Sequence, residues 1–154
     1  MKTNKTLITT IIIIAVFLTI PIRLSSQSVS FNHLTTDEGL SQLSVNSIYI
    51  DEHGMLWIGT RVGLNIYDGE KIHTYKVEKD NPYSLPSNII LKLTGDKEGK
   101  VFILSPDGIC QFNMETQKFN YIHKGKADCI YYNNGLYISI GNTVYLFDNE
   151  KTSL

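Results

Sequence analysis

Four histidines, two cysteines and one acidic turn are the groups in this sequence whose chemistry asks to be tested first. His33, His53, His73 and His123 are dispersed, with no i,i+4 helical pair and no cysteine partner at zinc spacing, so they read as turn or surface histidines. Asp51-Glu52-His53-Gly54 brings two carboxylates and an imidazole together, but it lacks the alternating oxygen ligands of a calcium loop and reads as a hairpin turn. Cys110 stands inside an apolar run, and with Cys129 it reads as one of two separate buried thiols; an oxidising compartment would permit a bridge instead. No Ser/His/Asp or paired-carboxylate arrangement stands out by spacing. No catalytic, cofactor-binding or metal-binding residue is therefore assigned, and the chain is not read as an enzyme.

The elements that would position these residues are strands. The chain has 154 residues, 42% hydrophobic and 19% charged, with a formal net charge of −1. That composition excludes a disordered polyampholyte and a basic nucleic-acid binder. Nine Tyr and six Phe among many Ile and Val are strand-forming material. The first 27 residues are set apart: Lys2 and Lys5 precede an apolar stretch from Leu7 to Ile20, followed by Pro21 and the polar Ser25-Ser26-Gln27. This pattern describes a secretory signal peptide, with an uncleaved N-terminal anchor as its rival, and Arg23 is an unusual charge so near a cleavage site. The remainder is expected to be extracytoplasmic. From Val45 onward, short apolar runs alternate with Asp/Gly/Asn turns, the signature of an antiparallel meander.

The meander repeats. Gly54-Met55-Leu56-Trp57-Ile58 falls on Gly99-Lys100-Val101-Phe102-Ile103 at an offset of 45 residues, which also sets Asp51 on Asp96, Thr60 on Ser105 and Gly63 on Gly108. An offset of 80 residues sets Trp57 on Tyr137, Leu64 on Val144 and Tyr67 on Phe147. A four-stranded unit with a period near 40 residues is the sequence pattern of a propeller blade. The predicted strands are Val45–Ile50, Met55–Thr60, Leu64–Tyr67 and Ile72–Lys76; then Ile89–Thr94, Val101–Leu104, Ile109–Phe112 and Lys118–Ile122; then Ala127–Tyr132, Leu136–Ile140 and Val144–Phe147. The expected fold is all-β: an incomplete β-propeller over residues 28–154, with blades at about 45–77, 88–123 and 127–154, the last truncated. Trp57, Phe102 and Tyr137 are the expected fillers between blades, and both faces of each sheet are expected to be covered.

The stretch from Val45 through Gly54-Met55-Leu56-Trp57-Ile58-Gly59-Thr60 to Asp68-Gly69 resembles the repeat of the two-component-regulator propellers. The lead-in Phe31-Asn32-His33-Leu34-Thr35-Thr36-Asp37-Glu38-Gly39-Leu40-Ser41 and the loop Asn81-Pro82-Tyr83-Ser84-Leu85-Pro86-Ser87-Asn88 are similar to the same family's start and spacer. The resemblance implies the periplasmic sensor half of a hybrid two-component system, in which propellers answer to oligosaccharides and control polysaccharide-utilisation genes. It further implies a β-sandwich, a transmembrane helix, a histidine kinase, a receiver and an AraC-type DNA-binding domain, none of them in these residues.

A ring of six to eight blades needs roughly 240–360 residues. The chain is therefore expected to supply under half of one ring, as the N-terminal piece of a longer sensor, and to be marginal or aggregating by itself. The implied partners are an oligosaccharide ligand, further propeller blades and a membrane-linked kinase, with no direct nucleic-acid contact by this region and a homodimer in the full-length protein. The implied location is the periplasmic side of the inner membrane. Arg61, in the turn before Gly63, and Tyr83, in the inter-blade loop, are the side chains to test first for ligand contact, since Arg and aromatic groups suit sugar hydroxyls and carboxylates. Arg61 has the alternative of bridging neighbouring blades.

Overall fold

The computed structural model describes residues 33–147 and, before them, Asn4. The chain divides into two units, Met1–Asn32 and His33–Leu154, and the described strands belong to the second. The expected leader over residues 1–27 lies outside the described residues. Among the described residues, no helix is long and apolar enough to cross a membrane.

Among the described residues eleven strands follow one another: β1 Val45–Ile50, β2 Leu56–Thr60, β3 Leu64–Tyr67, β4 Ile72–Tyr75, β5 Lys92–Gly95, β6 Lys100–Ser105, β7 Gly108–Asn113, β8 Lys118–Lys124, β9 Cys129–Tyr132, β10 Leu136–Ile140 and β11 Thr143–Phe147. They form three antiparallel sheets, β1-β2-β3-β4, β5-β6-β7-β8 and β9-β10-β11. Each is a meander of hairpins, because the turns between its strands are too short to carry a crossover. β1 lies beside β5, and β5 beside β9, so the first strands line one side while the later strands of each sheet fan outward. These are three successive propeller blades. The third has three strands among the described residues, and residues 148–154 lie outside them.

Two strands start two or more residues later than the sequence pattern predicts. β5 begins at Lys92 rather than Ile89, because Ile90 turns its backbone to the first blade: its N–H donates to Thr60 O at 2.8 Å and its carbonyl accepts from Asn46 Nδ2 at 2.8 Å. β9 begins at Cys129 rather than Ala127. Ala127 is buried against the second blade, and Asp128 Oδ2 accepts from Gly141 N–H at 2.7 Å across the turn that follows β10.

The second blade carries the core on both faces. Period-2 alternation puts Val101, Ile103, Cys110 and Phe112 on the face toward the first blade, where they join Trp57, Leu64 and Ile66. Phe112 is the hub of that junction, with Trp57, Tyr75 and Phe119 around it at ring-centroid distances of 5.3, 5.2 and 4.8 Å. Phe102, Leu104 and Ile109 point the other way and join Ile130, Leu136 and Ile138 of the third blade. Among the described residues the third blade is covered on one face only, as an arc with an open end requires. Tyr131, Tyr137, Val144 and Leu146, on the side turned away from the second blade, are 58%, 38%, 66% and 51% exposed. Tyr137 is thus not a filler between described blades, whereas Trp57 and Phe102 are buried.

The first blade's leading face is closed differently, by the lead-in segment and with polar groups. Asn65 is fully buried there, and each of its hydrogen-bonding positions is used. Its Oδ1 accepts from Ser41 N–H and Thr74 Oγ1–H, and its Nδ2 donates to Ser41 Oγ and Ile58 O, at 2.9–3.2 Å. Leu40 is buried beside this network. Ile48 and Ile50, toward the inner edge of the same face, stay 64% and 57% exposed.

Candidate functional site

The hairpin turns decide where each candidate side chain goes. Asp51 Oδ1 accepts from His53 N–H at 3.0 Å and Met55 N–H at 2.9 Å, which closes the β1–β2 turn, and its Oδ2 accepts from the Trp57 indole Nε1–H at 2.9 Å. The side chains of Asp51, Glu52 and His53 do come within 4.8 Å of one another. With both Asp51 oxygens engaged by N–H donors, this cluster has the chemistry of a hairpin and its packing anchor. Asp96 repeats the turn, with Oδ1 accepting from Glu98 N–H at 2.8 Å and Lys100 N–H at 2.9 Å.

At the opposite rim, Thr60 Oγ1 and Ser105 Oγ each donate to the carbonyl of the glycine three residues on, Gly63 and Gly108, at 2.9 Å. Those glycines have φ of 137° and 149°, and a Cβ on Gly108 would sit 2.3 Å from His123 O. The repeated hydroxyl and glycine are one device: the turn folds back tightly enough to pass under the outer strand.

The histidines stay apart. His53 Nδ1 lies 3.3 Å from Glu52 Oε1 in the β1–β2 turn, and His73 Nε2, on β4, lies 3.6 Å from Asp68 Oδ2. Asp68 is held below the usual carboxylate range by the N–H groups of Lys71 and Glu70, with His73 adding to them. Cys110 and Cys129 are both free thiols. Burial pushes the Cys110 thiol far up, while Cys129, half-buried, accepts a contact from Lys92 Nζ at 3.2 Å. The Tyr49 hydroxyl is buried without a partner among the described residues, and burial pushes its pKa up.

Arg61 is exposed in the β2–β3 turn, its backbone N–H donating to Gln42 Oε1 at 3.2 Å. Among the described residues its guanidinium makes no ion pair, so it does not bridge blades through its charge. Tyr83 sits elsewhere. Its carbonyl accepts from Phe119 N–H at 2.9 Å and its ring lies 4.6 Å from Lys118 Nζ, which puts it on the outer strand of the second blade and away from the inner strands. The loop around it is a latch: Leu85 is buried in the first junction, and Asn81 Oδ1 accepts from Tyr83 N–H at 2.9 Å. The structure therefore does not bring Arg61 and Tyr83 together.

Among the described residues, clefts open at both junctions between blades. One, of about 190 Å³, lies between the first and second, with Met55, Tyr75, Phe112 and Met114 in its walls and Asp68 and His73 at its edge. The other, of about 210 Å³, lies between the second and third and includes Asp96, Lys100, Phe102, Tyr132 and Asn134. No motif in the sequence points to either. The repeat alignment holds the one usable signal, that Phe102 replaces Trp57 beside a retained aspartate.

Fold and repeat together define a β-propeller segment built from four-stranded units. Residues 39–61 match the family described as two component regulator propeller, so that stretch is similar to one repeat of that kind. Over 71 residues, 46% of this chain, it is 42% identical to histidine kinase P4 of Formosa agariphila, of which it spans 5%. It superposes on the extracellular domain of a putative hybrid two component system from B. thetaiotaomicron with a TM-score of 0.67 and 25% identity, covering 77% of this chain and 19% of that one. A second such domain from the same organism gives a TM-score of 0.62 at 20% identity over 83% of this chain and 20% of its own, a likeness of fold. The chain thus spans about a fifth or less of each of these three.

Proposed function

We propose that this chain is part of an extracytoplasmic sensor propeller of a hybrid two-component regulator, that it answers to oligosaccharides, and that its output is transcription of polysaccharide-utilisation genes. The observation that supports this most is the joint one: a two-component-regulator repeat at residues 39–61, and a likeness across 77% of the chain to the extracellular domain of a putative hybrid two component system. The leader over residues 1–27 would export it to the periplasmic side of the inner membrane or anchor it there. Kinase and DNA-binding functions belong to regions outside these residues, and the assembled receptor works as a homodimer.

In this reading the partner nearest to hand is another blade. Trp57 and Phe102, at equivalent positions, are each buried by the blade that follows, and Tyr137 stands at the third such position with its face open. A further unit of the same repeat would cover Tyr131, Tyr137 and Leu146 by the same side-to-side packing.

The test is to grow the source organism on a panel of purified glycans with the gene intact and deleted, and to read genome-wide transcription. Loss of induction of one glycan-degradation gene set in the deletion strain is the expected result. Unchanged transcription on every glycan would overturn the proposal.

A further inference from the structure

Asp51 and Asp96 occupy the same place in consecutive blades, yet only one has a full set of donors. Asp51 uses its second oxygen to hold the Trp57 indole. At the equivalent position Phe102 brings no N–H, and Asp96 Oδ2 accepts no hydrogen bond among the described residues, its nearest cation being Lys100 Nζ at 3.9 Å. The Asp96 side chain is nonetheless only 2% exposed. With Oδ1 committed to the turn and Oδ2 facing only Lys100 and the space beside it, Oδ2 keeps its lone pairs available to a ligand that brings donors.

What lies beside it is the cleft of about 210 Å³ between the second and third blades. Phe102 and Tyr132 stack at 5.7 Å with planes 12° apart and give the cleft an aromatic wall. Burial, then the charges of Asp96 and Glu98, push the Tyr132 hydroxyl pKa up and keep it a neutral donor. Lys100 and Asn134 add polar groups to the same lining. The charges select the ligand: an anion would be repelled by Asp96 and a cation by Lys100, whereas neutral hydroxyls can donate to the one and accept from the other. The volume is below the ~300–1,000 Å³ of pockets for drug-sized ligands and suits one ring rather than a chain.

We propose that the cleft between the second and third blades binds a single neutral sugar ring, whose hydroxyls donate to Asp96 Oδ2 and accept from Lys100 Nζ, against the aromatic wall of Phe102 and Tyr132. This rests on the glycan-sensing reading only for where such a ring would come from, namely one residue of a longer oligosaccharide.

The decisive variant is Phe102→Trp, which hands Asp96 the indole donor that Asp51 already has. In the chain as encoded, titrated with a panel of methyl hexopyranosides, it is expected to raise Tm while weakening binding about ten-fold or more. Asp96→Asn is expected to weaken binding to a similar degree with an unchanged circular dichroism spectrum. It keeps the test alive if the tryptophan variant does not fold. Absence of saturable binding of any pyranoside to the wild-type chain, or equal binding by wild type and Asp96→Asn, overturns the proposal. The two readings separate cleanly. A receptor that still induces transcription with oligosaccharides when Asp96→Asn is introduced, and shows no pyranoside binding, retires the cleft and leaves the sensor. Pyranoside binding that Phe102→Trp abolishes, in a receptor whose transcription ignores every glycan, keeps the cleft and retires the sensor.

Discussion

The junction between the first and second blades and the outer face of the third are built from equivalent positions of one repeat, and they differ in what covers them. At the junction, Trp57 is fully buried, edge-on to Phe112, with its indole N–H on Asp51. On the third blade, Tyr137 occupies the place of Trp57 and is 38% exposed. The blade is therefore not a self-sufficient unit. Its strands pair internally, but its side chains find their burial only against a neighbouring sheet, as expected of a repeat architecture.

Removing the hub of the junction should have the largest effect. Phe112→Ala takes away the ring that Trp57, Tyr75 and Phe119 surround, and is expected to cost about 3–5 kcal/mol in a denaturant titration. A loss below about 1 kcal/mol would mean that the junction is not a packed core. Gly108→Ala follows, at about 2 kcal/mol or more, because the residue holds φ of 149° and a Cβ would meet His123 O at 2.3 Å. Chemical denaturation compared with Gly54→Ala, whose Cβ would meet nothing within 4 Å, separates crowding from the cost of positive φ alone.

Trp57→Phe makes the first blade imitate the second and leaves Asp51 Oδ2 without its donor. A loss of about 2 kcal/mol is expected, with the fluorescence of the chain's one tryptophan gone, so unfolding is read by circular dichroism. Tyr137→Ser sharpens the comparison from its other side. In the 154-residue chain it should shift stability by no more than about 0.5 kcal/mol. In a longer chain whose next blade packs on that face, the same change should cost about 2 kcal/mol or more.

The smallest effect is one of pH. Asp68 is held low by the Lys71 and Glu70 N–H groups in the native turn, so its contribution is present above the unfolded carboxylate pKa and lost as pH falls through the lower folded value. Asp68→Asn should flatten the acid limb of the stability profile slightly, without changing the neutral plateau's shape. An acid limb identical in the two proteins would show that the turn does not differ between folded and unfolded chains.

Much of this is legible in the residues. The 45-residue offset places Asp51 on Asp96, Thr60 on Ser105 and Gly63 on Gly108, and each pair builds the same turn in the structure. Turns are local, and a hydroxyl, a carboxylate or a glycine at a fixed offset carries its own geometry. The candidate ligand contacts are not legible in the same way. Tyr83 stands out by type, but its place on the outer edge follows from the backbone bond between its carbonyl and Phe119, a pairing across 36 residues that no local pattern records. Asn65 interrupts an apolar strand for no local reason, and what explains it is Ser41, 24 residues earlier.

The sequence by itself determined the strands, their meander order and the repeat, because period-2 alternation and turn chemistry are short-range and each copy states them again. Only the tertiary structure decided which copy of an equivalent residue is satisfied. Asp51 meets an indole and Asp96 a cleft, and Trp57 is covered where Tyr137 is open. Burial and hydrogen-bond partnership belong to pairs of sheets, and a single sheet's sequence does not contain its neighbour.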